Sequence, residues 1–139
     1  MKPYFFVAAG LVALATPAMA EIRSFTCQMT QACRQMGTSC SAIDRTHVYN
    51  LDAEAGTGEM VQEGQPFDGE VMTSGAAMHF VFVNDAGIEM ASIANGSVVF
   101  LGNMIIGDDL SHYRLTGTCT EASASPGAGA GDAAPAGSK

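Results

Sequence analysis

Basic charge is scarce in this 139-residue chain: six Lys and Arg stand against fourteen Asp and Glu, a formal charge of −8. Beyond residue 20 only Arg23, Arg34, Arg45, Arg114 and Lys139 remain, and leaving out Lys2 lowers the charge by one, to −9. That argues against nucleic acid and anionic lipid as partners, since both are held by basic patches. Long hydrophobic runs are missing too. The longest, Tyr4 to Ala15, falls short of the roughly 20 apolar residues that a membrane-spanning helix needs.

Catalytic and metal-binding signatures are equally sparse. No Cys-x-x-Cys occurs, which removes the pairwise spacing of a zinc site or a redox pair. There is no His-Glu-x-x-His, no Gly-x-Ser-x-Gly and no glycine loop opening a helix to cradle phosphate. Asp108-Asp109 is an isolated pair without the alternating oxygen ligands of a calcium loop. The expectation is a protein that is not an enzyme and uses no cofactor.

What is present begins with an export signal over residues 1–20. Lys2 precedes the apolar run, Pro17 breaks it, and Ala18-Met19-Ala20 offers the small residues that a signal peptidase accepts before Glu21. The first cysteine beyond it, Cys27, lies too far from Ala20 to be an acylated lipoprotein cysteine. At the other end, residues 121–139 consist almost wholly of Ala, Gly, Ser and Pro, too little apolar surface to repay ordering. Residues 21–120 are left as one domain, small enough for covalent staples to matter.

Four cysteines in an exported chain are expected to pair as disulfides. Three connectivities are possible, and alternation chooses among them. In Ser24 to Thr30 the odd positions Phe25, Cys27 and Met29 are apolar and the even ones polar, the period of a half-buried strand. In His112 to Cys119 the same test places Tyr113, Leu115 and Cys119 on the apolar face. Two inward cysteines on the first and last strands suit each other, so Cys27 is expected to pair with Cys119 and Cys33 with Cys40.

Between them the chain reads as short strands broken by turns. Thr46 to Asp52, Glu59 to Gln62, Phe67 to Thr73, Ala77 to Val83, Ile88 to Ala94, Ser97 to Leu101 and Leu110 to Thr120 are the candidates, with Asn95-Gly96 supplying a tight type I′ hairpin. Gly102 to Asp109 reads as a longer connection, Gln31 to Gly37 is the one segment with room for a helical turn, and Cys33 to Cys40 reads equally as an irregular loop. Seven or eight short strands without a helical period predict an all-β antiparallel fold, a small up-and-down barrel in preference to a compact sandwich.

Met29, Met36, Met60, Met72, Met78, Met90 and Met104 with His47, His79 and His112 raise the idea of a soft-metal site, but the thioethers are not clustered and suit core packing. Asn95-Gly96-Ser97 matches a glycosylation acceptor, and its hairpin role explains it sufficiently.

The layout Phe25-x-Cys27-x5-Cys33-x6-Cys40 after a signal peptide, ending in Leu115-Thr116-Gly117-Thr118-Cys119, resembles small exported proteins of Gram-negative bacteria that have no assigned function. The resemblance implies a periplasmic or secreted home and carries over no active-site residue. Two functions of different class compete. One is a noncatalytic cell-envelope module that binds another protein or serves as an accessory component. The alternative is a carrier of a small apolar ligand in a barrel cavity lined by Met78, Phe80, Phe82, Met90 and Tyr113. A Met/His metal binder ranks third.

Overall fold

The computed structural model describes residues 21–34 and 39–122; the expected signal peptide and nearly all of the expected tail lie outside the described residues. Eight strands follow one another: β1 (Ile22–Arg34), β2 (Ser39–Asp52), β3 (Thr57–Gln62), β4 (Gln65–Ser74), β5 (Ala77–Asn84), β6 (Gly87–Ala94), β7 (Ser97–Ile106) and β8 (Asp109–Glu121). Each pairs antiparallel with the next, and β8 returns to β1, so the sheet closes into an up-and-down barrel without a free edge.

Two-residue turns set much of the register. Asn95 and Gly96 both have positive φ, 49° and 73°, as do Glu63 and Gly64 at 52° and 80°. That backbone twist suits a tight hairpin. At Asn95-Gly96 it places Ile93 opposite Val98 and Ala91 opposite Phe100. These four are buried, and with Tyr49, Leu51, Met60, Phe80, Phe82 and Leu115 they help fill the inner face.

Both expected disulfides are formed. Cys27 lies directly opposite Cys119 on the β1–β8 seam, and Cys33 opposite Cys40 on β1–β2, each pair with Cα atoms 4.0 Å apart. A bulge between Met29 and Gln31 interrupts both pairings of β1. Its extra residue reverses the parity of the strand. Phe25, Cys27 and Met29 face inward below it, whereas above it Ala32 faces inward opposite Leu115 and Cys33 sits opposite the exposed Arg114.

Gly117 makes this closure possible. It pairs with Met29 beside the bulge, and a Cβ there would run into the backbone carbonyl of Gln28. Because the obstacle is main chain, it cannot swing aside. Gly117→Ala is expected to cost about 1–3 kcal/mol, as overpacking typically does, measured as a lower urea midpoint at unchanged slope.

Three sequence readings are corrected in detail. Gly102 to Asp109 is not a long connection: β7 runs on to Ile106 and turns at Gly107, φ 65°, directly into β8. Alternation misses this because Ile105 and Leu110, a cross-strand pair, are apolar yet outward and exposed. Gln31 to Arg34 is strand, not a helical turn, held between β2 and β8; residues 35–38 lie outside the described residues. Glu121, assigned to the tail, ends β8 opposite Phe25 and forms an ion pair with Arg23.

Candidate functional site

Of the side chains expected to line a cavity, Met78, Phe80 and Phe82 face inward and are buried, and Tyr113 faces inward half-buried. Met90 does not join them. The two-residue turn between β5 and β6 pairs Phe82 with Glu89 and Val81 with Met90, so Glu89 points inward with Phe82 and Met90 points out.

The middle of the barrel is filled by rings. Tyr49 meets Phe80 edge-on at 6.0 Å between centroids, Phe80 stacks on Phe82 at 5.5 Å, Phe82 reaches Phe100 at 6.2 Å, and Phe100 reaches Tyr113 at 6.0 Å. The space is therefore at the ends. Below, the Arg23 guanidinium grips Glu121 through two hydrogen bonds of 2.6 and 2.8 Å and lies 5.1 Å over the Phe25 ring. That pairing raises the Arg23 pKa and lowers that of Glu121.

The opposite mouth, where β1 meets β2 and β5 meets β6, opens a cavity of about 460 Å³. Ala32, Ile43 and Leu115 provide apolar wall, and Arg34, Arg45, Glu89 and Tyr113 provide charge and hydrogen-bonding groups. Glu89 is 5 % exposed, and the Tyr113 hydroxyl donates to its Oε1 at 3.2 Å. Burial, and after it the negative charge of Glu89, raises the Tyr113 pKa, so the phenol stays protonated and remains a donor. Gly102 gives the ring its place: a Cβ there would stand 2.5 Å from the ring's Cζ.

Sequence reasoning passed over Glu89, having placed its neighbour Met90 on the inner face. The signal was the Asp85-Ala86 turn, which dictates that residue 89 shares the face of Phe82.

Deeper in, His47 is fully buried, its Nδ1 3.1 Å from the Tyr49 hydroxyl and its ring edge-on to Phe100 at 5.4 Å. Its Nε2 has no hydrogen-bond partner among the described residues. Burial, then the charge of Arg45, lowers its pKa to about 4. His79 bonds Ser92 Oγ at 2.9 Å and His112 is exposed, so the three histidines do not converge. Among the described residues no group of three or more His, Cys, Asp or Glu is placed to hold a metal.

The outer surface has two characters. Over β1 and β2 it is a polar ladder: Ser24 donates to Asn50 at 2.8 Å, Thr46 donates to Gln28 at 2.8 Å, and Gln28 donates to Asp44. Over β5 to β7 it carries exposed apolar side chains, with the exposed His112 and Arg114 of β8 opposite Asn103 and Leu101. Val83 pairs with Ile88, Met90 with Leu101 and Ile105 with Leu110, and apart from the half-buried Met90 all are well exposed, Val83 at 72 % and Ile88 at 63 %. Asp85, Asp108 and Asp109 are exposed at the turns bordering this face. An apolar interior with a half-polar exterior inverts the plan of a membrane barrel. No helix among the described residues is long and apolar enough to cross a membrane.

Compared with family models, curated proteins and solved structures, the chain matches none.

Proposed function

We propose that this protein is an exported, noncatalytic module of the cell envelope, working in the periplasm or outside the cell, and that it binds a basic partner protein on the outer face of β5 to β8. One observation carries the reading: an apolar sheet face of Val83, Ile88, Val99, Leu101, Ile105 and Leu110 stands exposed on a barrel whose core is already filled. Exposed apolar side chains gathered on one face mark interaction sites on proteins. The turns at one end of this face are acidic, through Asp85, Asp108 and Asp109, its one arginine, Arg114 opposite Leu101, is turned to Cys33 Sγ, and the chain is strongly acidic overall, so electrostatic complementarity favours a partner with basic groups around an apolar centre. The disulfides are compatible with an oxidising compartment.

A photo-crosslinking residue at position 101, expressed in the native envelope, is expected to capture one basic protein, with a yield that falls as salt rises. The same residue at position 26, on the polar face, is expected to capture none. Ile88→Asp should abolish the adduct at 101 while leaving the melting temperature nearly unchanged, because Ile88 is 63 % exposed. Equal adducts from positions 101 and 26, or none from either, would refute the reading.

The carrier reading keeps one supporting observation, the mouth. Its space lies there and not among Met78, Phe80 and Phe82, which pack into the core.

A further inference from the structure

Arg34 and Arg45 are two of the five basic residues beyond residue 20, and both line the same mouth. The other described basic residues are engaged elsewhere, Arg23 with Glu121 and Arg114 against Cys33 Sγ at 3.8 Å. The mouth also holds Glu89, buried and fixed from one side by Tyr113. Opposite charges sharing a small cavity would ordinarily pair, yet among the described residues the only ion pair within 4 Å is Arg23 with Glu121. Arg34, Arg45 and Glu89 thus line one cavity with no ion pair among them.

We propose that this mouth binds a small zwitterion with an apolar side chain, an amino acid in chemical class. Its carboxylate would lie on the guanidinium groups of Arg34 and Arg45, its ammonium on Glu89, and its side chain against Ala32, Ile43 and Leu115. A simple anion is disfavoured by the buried Glu89 carboxylate, and a simple cation by two arginines. A molecule carrying both charges satisfies both ends. Charge-assisted hydrogen bonds to guanidinium are strong and directional, and the fixed carboxylate needs no reorganisation to receive an ammonium. The volume of about 460 Å³ falls within the roughly 300–1,000 Å³ of small-molecule sites. This site is separate from the outer face proposed to bind a protein, so either can fail alone.

The test compares three probes on the isotopically labelled exported chain by amide chemical-shift titration. They are L-leucine, 4-methylpentanoate, which lacks the ammonium, and 3-methylbutylamine, which lacks the carboxylate. Leucine is expected to move mouth amides on β1, β2, β6 and β8, and to bind at least tenfold more tightly than either half-probe. Glu89→Gln, which keeps an acceptor for Tyr113, should weaken leucine at least tenfold and leave 4-methylpentanoate unchanged or tighter. The Arg34→Gln/Arg45→Gln double variant should weaken both. Should Glu89→Gln disturb the fold, the three probes on the unaltered protein decide alone. No shift with leucine, half-probe binding as tight as leucine, or leucine binding indifferent to Glu89→Gln in a folded variant would each overturn the proposal.

Discussion

Removing Cys27 and Cys119 together, in the C27A/C119A variant, is expected to lower the unfolding free energy by about 4–5 kcal/mol, against about 2–3 kcal/mol for C33A/C40A. The difference follows from what each bond joins. Cys27 and Cys119 are 92 residues apart, Cys33 and Cys40 only 7, and the entropy that a crosslink removes from the unfolded chain grows with the logarithm of that separation. The long bond also sits where order is hardest to obtain. Every other strand pairing joins neighbours in the chain, but β1 with β8 must bring the two ends of the domain together. Cys27 is fully buried on that seam, next to the bulge and Gly117, so truncation also loosens the core.

Natural domains are stable by only about 5–15 kcal/mol, so the long bond can decide whether this barrel stays closed. Urea unfolding of the two double variants, followed by far-ultraviolet circular dichroism, gives the comparison directly. Refolding should slow for C27A/C119A and hardly change for C33A/C40A, because only the first loses help with a long-range closure. Equal losses, or a larger loss for the short bond, would show that the seam is held mainly by something else.

That bond was legible in the sequence, and the reason is physical. Alternation is read strand by strand, and near the seam it is clean: Phe25, Cys27 and Met29 on one strand, Leu115 and Cys119 on the other, all inward. The all-β character and a count of seven or eight strands were legible for the same reason, as was the Asn95-Gly96 hairpin. Alternation fails where both faces of a strand are apolar. On β6, Ile88 and Met90 look like the buried set until the turn to β5 is counted, and the count gives the inside to Glu89, Ala91 and Ile93. On β7, Met104-Ile105-Ile106 has no alternation to read, and the strand was cut short.

The polar groups of the mouth were the least visible part. Arg34 and Arg45 lie eleven residues apart in sequence and far from Glu89 and Tyr113, and only barrel closure together with the parity change at the β1 bulge brings them to one rim. A bulge is a single extra residue with no side-chain requirement that Thr30 announces.

Acid should weaken this protein through His47, by about 3 kcal/mol between pH 6.5 and pH 4. The sign follows from where the proton goes. Unfolded, the imidazole titrates near its ordinary 6.5; folded, burial and Arg45 lower the pKa to about 4. Within that window the unfolded chain binds a proton that the folded protein refuses, so stability is fully present above 6.5 and is lost progressively as pH falls toward 4.

The surroundings give the folded protein no way to accept the charge cheaply. The described groups facing the ring are the Tyr49 hydroxyl, the Phe100 edge and the positive charge of Arg45, while the charge of Glu89 acts on Tyr49. Burial raises the Tyr49 pKa, so that hydroxyl keeps its proton and can donate to a neutral Nδ1. The Arg23 hydrogen bond lowers the pKa of Glu121 from its ordinary value.

His47→Gln separates His47 from every other titrating group, since glutamine offers Tyr49 an acceptor and cannot protonate. It should start about 1–3 kcal/mol less stable at pH 7, the usual cost of an imperfectly satisfied buried polar group, and then hold that value through the window. Urea midpoints at half-unit pH steps would show the two curves converging toward pH 4. A wild-type curve that is flat from 6.5 to 4, or an equal slope in His47→Gln, would assign the acid response to another group. Convergence would mean that a histidine in the barrel centre, chosen by packing against Phe100 and bonding to Tyr49, sets the lower pH limit of a fold whose closure the Cys27–Cys119 bond secures.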